Sequence, residues 1–368
     1  MIDLPRIHAE YQRELDDAVL QVIHSGQYIG GPAVASFEQS CSDFLAAPIA
    51  GVGNGTDALQ IALMALGIGP GDEVIVPAFT YASSAEVIGV LGARAVWCDV
   101  LPDTFCIDPS SAAKKRTSNT KAVIAVHLYG QCADIESLEL AIPGLPIVED
   151  TAQAFGATFL AGKYAGKYAG TVGTIGTFSF FPTKSLGALG DGGALCSPDK
   201  SLLARARSIA KHGQSKKYTH DILGVNSRLD PLQAAALNVK LGYFERSVAR
   251  KSALAKTYDQ AFSAIAEVEA PVTPHHTSHA YHQYTIKVPA AHRDPLRAFL
   301  QRAGIATMVY YPIPLNKQQA YAAFDPNAEV PVSEALANSV LSLPIDELLN
   351  DAQMEYITST IASYFSSL

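Results

Sequence analysis

Short apolar runs alternate with stretches of helical periodicity between about residues 47 and 200. This alternation is typical of a mostly parallel sheet whose strands are joined by helices that cover its faces. We therefore expect a large α/β domain in this part of the chain. The predicted strands are residues 49–52, 73–77, 93–100, 121–128, 146–149, 174–180 and 193–197, and the predicted helices include 57–66 and 135–141.

The C-terminal third of the chain has a different pattern. A helical pattern begins at Pro231 and extends to about residue 264, which we interpret as a bridge to a second domain. A chain of 368 residues, 48% of them apolar, is long enough for two cores. We predict a large domain over residues 1–240 and a smaller α+β domain over residues 241–368. In the smaller domain we predict strands at 281–288 and 307–311, a helix at 295–302 and a terminal helix from about 352.

The composition excludes several classes of protein. The formal net charge of −8 disfavours a nucleic-acid partner, because nucleic-acid-binding domains usually present a basic face. The five cysteines form no C-x-x-C pair, so we expect reduced thiols and neither a disulfide framework nor a metal site. No apolar run is long enough to span a membrane, and the N-terminal residues are too charged for a signal peptide. We therefore expect a cytoplasmic protein with no membrane partner.

Lys184 lies in a glycine-rich turn between two predicted strands, and Asp150 follows another predicted strand. A loop lysine is usually a solvated charge, and an aspartate at a strand end is usually a turn former. Together, however, an amine and a carboxylate at two strand ends match the pair that enzymes dependent on pyridoxal 5'-phosphate (PLP) require. The amine binds the aldehyde of PLP covalently, and the carboxylate keeps the ring nitrogen protonated. We therefore predict PLP as the cofactor and Lys184 as the catalytic residue.

Other segments contain the remaining parts of a PLP site. Gly55 and Thr56 open a predicted helix directly after a strand, where free N–H groups and the helix dipole can bind the phosphate. Ser179 could add a hydroxyl to the same phosphate, Gln153 could donate to the phenolic oxygen, and the Tyr81 ring could stack on the pyridine. The simpler interpretations are that Thr56 caps the helix, that Ser179 and Gln153 are ordinary polar surface residues, and that Tyr81 packs in the core.

Five segments together resemble the DegT/StrS-type sugar-nucleotide aminotransferases. The resemblance covers essentially the whole chain and implies the aspartate-aminotransferase fold, which is fold type I of PLP-dependent transferases: a mostly parallel mixed sheet between helices, with a smaller C-terminal domain. The segments are NGTDAL (54–59), VPAFTY (76–81), EDTAQ (149–153), FSFFPTK (178–184) and GDGG (190–193).

Further segments resemble one branch of that family. This branch transfers an amino group from L-glutamate to the C3 ketone of UDP-2-acetamido-2-deoxy-3-oxo-glucuronate, for the O-antigen and lipopolysaccharide of bacterial surfaces. Related members tend to carry a histidine just before the Tyr-Pro-Ile-Pro motif, where this chain has Tyr310. The segments are GQYI (26–29), LYGQC (128–132), HGQ (212–214), GVNSRLD (224–230) and YPIPLNK (311–317).

The resemblance also implies a homodimer whose active sites lie at the subunit interface. Asn226 would reach the phosphate of the cofactor in the neighbouring subunit, and Arg228 would face the negative charges of the sugar nucleotide. Tyr310, Tyr311 and Lys317 would complete the substrate site. Other keto sugar nucleotides, of the 4-keto-6-deoxy or 3-keto-6-deoxy kind, remain alternative substrates.

Three other kinds of function compete with this interpretation. Gly53-x-Gly55-x-x-Ala58 fits a permissive dinucleotide-binding fingerprint, but no acidic residue ends the next strand, as such a site requires. Four histidines between residues 275 and 282 could bind a metal, but they have no acidic or cysteine neighbours, and we expect them to be exposed. A non-catalytic binding or regulatory relative of the same fold would most plausibly lack Lys184.

Overall fold

A computed structural model describes residues 2–325 and 327–368 of the chain. The helices are α1 (Leu4–Ala9), α2 (Gln12–Ser25), α3 (Pro32–Leu45), α4 (Gly55–Ala65), α5 (Ser83–Val90), α6 (Pro109–Lys115), α7 (Ile135–Ala141), α8 (Lys200–Ile209), α9 (Pro231–Leu241), α10 (Phe244–Phe262), α11 (Ala290–Arg302), α12 (Pro331–Ser339) and α13 (Asp351–Ser366). The strands are β1 (Ile49–Val52), β2 (Glu73–Pro77), β3 (Arg94–Cys98), β4 (Thr120–Val126), β5 (Ile147–Asp150), β6 (Ile175–Ser179), β7 (Gly193–Cys196), β8 (Gln214–Lys216), β9 (Thr219–His220), β10 (Tyr284–Lys287) and β11 (Val340–Leu343).

The central sheet has seven strands in the order β1-β7-β6-β5-β4-β2-β3. Strands β6, β5, β4, β2 and β3 are parallel, and β7 is antiparallel to both of its neighbours. The predicted α/β class, with a mostly parallel mixed sheet between helices, is confirmed, and the seven predicted strands end within two residues of the observed ones. Their continuous apolar runs follow from burial on both faces, since β2 and β5 are buried along their whole length.

The C-terminal part differs from the sequence prediction in two places. The long helix predicted over residues 231–264 is interrupted by a turn at Gly242 and Tyr243, so that α9 and α10 are separate helices. The strand predicted at residues 307–311 does not form, because Met308 alone pairs with Ser342, and Pro312 and Pro314 follow. Instead, β10 pairs with β11. The sequence analysis did not identify β11 as a strand.

The domain division predicted between residues 240 and 241 falls in the last turn of α9 and remains a prediction. One apolar cluster extends from β1 and α4 in the large part to α10, α11 and α13 in the small part. In residues 2–325 and 327–368, no helix is both long and apolar enough to cross a membrane.

The carboxylate of Glu149 is buried in the central sheet and accepts four hydrogen bonds. Glu149, on β5, is fully buried and accepts hydrogen bonds from the N–H groups of Gly170, Val172 and Gly173 and from His127 Nε2, at 2.6–2.9 Å. Since His127 Nδ1 accepts from the N–H of Ala133, the ring must donate through Nε2. Burial alone would raise the pKa of Glu149, but these hydrogen bonds hold the pKa below its ordinary value.

Replacing Glu149 with alanine is expected to lower the free energy of unfolding by about 3–5 kcal/mol, because a buried imidazole and three backbone N–H groups lose their acceptor. Because the folded-state pKa of Glu149 is lowered, its contribution is present above the unfolded pKa and is lost as the pH falls through the folded value. Denaturant unfolding at neutral and acidic pH measures both effects. Glu334→Ala is the control, since Glu334 pairs with Lys317 in an exposed ion pair worth less than about 1 kcal/mol.

Candidate active site

The carboxyl ends of β1, β5 and β6 meet at one edge of the central sheet and border a cavity of about 600 Å³. This is the edge at which open parallel sheets bind ligands, and the volume suits a small molecule. Most of the predicted cofactor residues line it. The lining residues are Asn54, Gly55, Thr56, Asp57, Leu59, Tyr81, Ser83, Ala152, Gln153, Ser179, Phe181, Thr183, Lys184, Asp191, His282, Gln283, Tyr310 and Tyr311.

Lys184 lies in the loop that joins β6 to β7. The loop is closed tightly, since the N–H of Lys184 donates to Phe181 O at 2.8 Å and the N–H of Ala188 donates to Phe180 O at 2.7 Å. Burial lowers the pKa of Lys184 to about 8, and the negative charge of Asp150 opposes this effect. The free amine, which a nucleophile or proton acceptor requires, is therefore much easier to form near neutral pH than in an ordinary lysine.

Asp150 is the last residue of β5 and is only 4% exposed. Its Oδ2 accepts a hydrogen bond from Ser84 Oγ at 2.7 Å, and its Oδ1 accepts one from the N–H of Ala152 at 3.2 Å. Ser84 is in turn within 3.3 Å of Thr80 Oγ1. These contacts fix the carboxylate beside Lys184, where it can stabilise a second positive charge.

The start of α4 forms an anion-binding site on another wall of the cavity. Asn54 caps this helix by accepting from the N–H of Asp57 at 2.8 Å, so Thr56 is not the cap. The N–H groups of Gly55 and Thr56 have no partner within the helix and remain available to a ligand. Residue 55 must be glycine, because a Cβ there would lie 2.6 Å from the Cβ of Ser179. The same close approach brings the Ser179 hydroxyl to the helix start.

The side chain of Gln153 forms hydrogen bonds to Tyr129 and Tyr311. Its Oε1 accepts from the N–H of Tyr129 at 2.6 Å, and its Nε2 donates to the Tyr311 hydroxyl at 3.1 Å. Burial raises the pKa of Tyr311 above its ordinary value, so the hydroxyl keeps its proton. Tyr81 is 59% exposed at the cavity wall, which contradicts core packing as the reason for its presence.

Four predicted site residues do not line this cavity. Asp150 is one of them, although its Oδ1 accepts from the N–H of Ala152, which does line it. Asn226 lies in an isolated β-bridge with Lys211, and the exposed Arg228 borders a separate cavity of about 360 Å³. Lys317 forms an exposed ion pair with Glu334 at 3.0 Å. Asn226 and Arg228 are the residues predicted to serve a neighbouring subunit, and neither lines the cavity that contains Lys184.

The sequence analysis missed Ser84, which fixes Asp150, and His282, which lines the cavity. The expectation that the histidines of this segment are exposed is wrong for His279 and His282, which are 6% and 5% exposed, because residues 279–283 pack against residues 129–131. The described residues contain no group of three or more histidine, cysteine, aspartate or glutamate side chains placed to bind a metal ion.

These residues fit PLP by the chemistry of their groups. The cavity is lined by a lysine whose pKa is lowered and by a helix start where a side chain at position 55 would fill the space, and the buried carboxylate of Asp150 contacts the lining residue Ala152. Lys184 would bind the aldehyde, Asp150 the ring nitrogen, and Gly55, Thr56 and Ser179 the phosphate.

Proteins of known type resemble this chain over almost its full length. Residues 9–362 match the model of the DegT/DnrJ/EryC1/StrS aminotransferase family. A UDP-2-acetamido-2-deoxy-3-oxo-D-glucuronate aminotransferase of Pseudomonas aeruginosa is 42% identical over 98% of this chain and 99% of its own length. A pleiotropic regulatory protein of Geobacillus stearothermophilus is also 42% identical, over 99% of this chain and 98% of its own length.

The fold is shared with solved structures as well. The crystal structure of DesV from S. venezuelae, in complex with a ketimine intermediate, superposes with a TM-score of 0.94 at 37% sequence identity, covering 100% of this chain and 98% of that chain. The family model, the relatives and the solved structure point to the same family. The chain belongs to the DegT/DnrJ/EryC1/StrS aminotransferase family.

Proposed function

We propose that this chain is a PLP-dependent aminotransferase that moves an amino group from L-glutamate to the C3 ketone of UDP-2-acetamido-2-deoxy-3-oxo-glucuronate. The observation that carries the proposal is that Lys184 and the start of α4 line one cavity, while the charge of the buried Asp150 acts on Lys184. An isolated lysine, aspartate or helix start would support none of this chemistry. Together they provide a nucleophilic amine, a fixed negative charge and an anion site.

When bound, PLP would supply an aldehyde that accepts the amino group and a ring that withdraws electrons from the reacting carbon. The chain's own residues would bind the cofactor, orient its ring and transfer the proton. Lys184 Nζ would hold the aldehyde covalently and, as a free amine, would move a proton from Cα of the donor to the carbon that was the aldehyde. In the second half of the reaction it would move a proton from that carbon to C3 of the sugar. Asp150 would hold the ring nitrogen protonated, and Gln153 would orient the ring through its phenolic oxygen.

The sugar-nucleotide part of the proposal is supported by the name of the Pseudomonas relative. The names of other relatives specify dTDP-linked and GDP-linked sugars, so a 4-keto-6-deoxy or 3-keto-6-deoxy sugar is the alternative substrate. Tyr81, Tyr310 and Tyr311 border the cavity and would contact the sugar. The product would be used for O-antigen or lipopolysaccharide.

The proposal includes a homodimer, with Asn226 and Arg228 reaching the partner subunit's cavity. Exposed apolar side chains support such an interface, since Ile29 and Leu223 are 62% and 90% exposed, and Ile29 borders the same cavity as Arg228. We also propose the cytoplasm as its location, because all five cysteines are free thiols.

Product analysis tests the proposal directly. The protein, loaded with PLP, is given L-glutamate and a panel of keto sugar nucleotides that includes UDP-linked 3-keto-glucuronate, 3-keto-6-deoxy and 4-keto-6-deoxy sugars. The expected result is a glutamate-dependent amino sugar from the glucuronate, with kcat/KM at least about tenfold above the other sugars, as an anionic group paired with Arg228 would give. Preference for a 6-deoxy sugar would overturn the substrate. No amination of any sugar would favour a binding or regulatory role.

A further inference from the structure

His282 lines the candidate active-site cavity although no role has been assigned to it. Its side chain is 5% exposed, and its Nδ1 is buried without a hydrogen-bond partner among residues 2–325 and 327–368. A buried polar atom left unpaired costs about 1–3 kcal/mol, and such atoms are rare in folded proteins. This arrangement indicates that a group which moves or binds during the reaction completes the hydrogen bond.

The backbone holds His282 in place from both sides. The N–H of Ala280 donates to Gly130 O at 2.9 Å, and the N–H of Gln283 donates to Tyr129 O at 3.1 Å. Tyr281 adopts a left-handed φ of 45°, which is strained for a tyrosine and is found most often at functional sites. At Gly130 a Cβ would lie 2.8 Å from the N of Tyr281, so the two segments require this close contact.

The charges around His282 keep its ring neutral. Burial lowers the pKa of His282 well below its ordinary value, and the positive charges of Lys184 and Lys251 lower it further. Lys251 is 4% exposed; burial lowers its pKa, and the carboxylates of Glu347 and Asp346 oppose this effect. A neutral imidazole has one nitrogen that accepts a hydrogen bond. Of the two lysines, Lys184 is the one that shares the cavity with His282.

We propose that His282 is a positioning residue for Lys184, whose Nζ donates a hydrogen bond to His282 Nδ1 once the amino donor has displaced that amine from the cofactor. The inference rests on the proposed function, because Lys184 needs to be aimed only if it is released from a cofactor aldehyde during the reaction. The hydrogen bond would point the remaining lone pair of Lys184 Nζ toward Cα of the amino donor. Misplacing a proton-transfer group by about 1 Å can cost 10²-fold in rate.

The first test measures the pKa of Lys184 in the whole chain loaded with pyridoxamine 5'-phosphate, which has no aldehyde to bind the amine. Lysines labelled with ¹³C at Cε are titrated by NMR, and the Lys184 signal is the one missing from Lys184→Ala. We expect the midpoint to fall by about one pH unit in His282→Leu, since the ammonium loses an acceptor. In His282→Asn, whose amide oxygen can take the place of Nδ1, the midpoint stays near that of the wild type. Equal midpoints in all three proteins, or an equal fall in both variants, would overturn the proposal.

The second test measures the half-reaction of the loaded enzyme with glutamate in a single turnover. His282→Leu is expected to slow it about 10²-fold with an unchanged KM for glutamate, and His282→Asn to stay within about tenfold of the wild type. Deuterium at Cα of glutamate should slow the Leu variant more than the wild type, because proton transfer then limits the rate. His275→Leu, at an exposed histidine, is the matched control and should behave as the wild type.

Other results distinguish failure of the proposal for His282 from failure of the proposed function. If His282→Leu does not fold, His282→Gln replaces it, because its amide reaches the position of Nε2 rather than Nδ1 and should behave like the Leu variant. A raised KM with an unchanged maximal rate would overturn the proposal and make His282 a substrate-binding residue. If the wild type fails to react with any amino donor, the proposed function fails, whereas the NMR midpoints still decide whether His282 contacts Lys184.

Discussion

The Lys184→Ala variant is expected to lose amino transfer almost completely, with kcat/KM lowered by about 10⁴-fold or more. Lys184 is the lysine in the cavity whose pKa burial lowers to about 8, and alanine removes both the covalent link to PLP and the proton acceptor. Steady-state rates with glutamate and the keto sugar nucleotide measure the loss. Borohydride reduction followed by peptide mapping should place a phosphopyridoxyl group on Lys184 in the wild type and on no lysine in the variant.

Lys167→Ala is the matched control for this experiment. Lys167 also lies in a glycine-containing loop, but its side chain is exposed and does not line the cavity. Its replacement should change neither the rate nor the labelling. A phosphopyridoxyl group on a lysine other than Lys184, or full activity of Lys184→Ala, would contradict the assignment.

The site could be predicted from the sequence where its residues follow strands. Asp150 and Ser179 end β5 and β6, and Gly55 begins the helix after β1, so the apolar runs of these strands place all three at one edge of the sheet. Lys184 follows β6 in the same way. Periodicity finds such strands because burial on both faces makes each of them continuously apolar.

Residues positioned by contacts between distant segments could not be found in this way. His282 becomes part of the cavity only because residues 280–283 pack on Tyr129 and Gly130, about 150 positions earlier in the chain. The strand β11 is defined by its pairing with β10 and has no turn signal of its own. Helical periodicity does not show the break at Gly242, because both α9 and α10 continue the pattern of helix-forming residues.

Replacing Asp150 with asparagine is expected to lower kcat by about 10²–10³-fold while the protein stays folded. Asparagine has nearly the same shape and keeps an oxygen that can accept from Ser84, but it lacks the negative charge that would hold the ring nitrogen protonated. The measurement is kcat for the half-reaction with glutamate, together with the melting temperature. Asp99→Asn is the matched control, because Asp99 is also buried just after a strand but holds the N–H groups of Val332 and Ser333. That variant should lose stability and keep its kcat.

A cofactor analogue tests whether the missing charge of Asp150 is the reason for the lower kcat of Asp150→Asn. PLP methylated at the ring nitrogen carries a permanent positive charge and needs no carboxylate to keep it. In Asp150→Asn this analogue should raise kcat at least about tenfold above that with PLP, whereas in the wild type it should give no gain. If Asp150 only shapes the cavity through Ser84 and Ala152, the analogue would leave the variant as slow as before, and the role proposed for the carboxylate would be wrong.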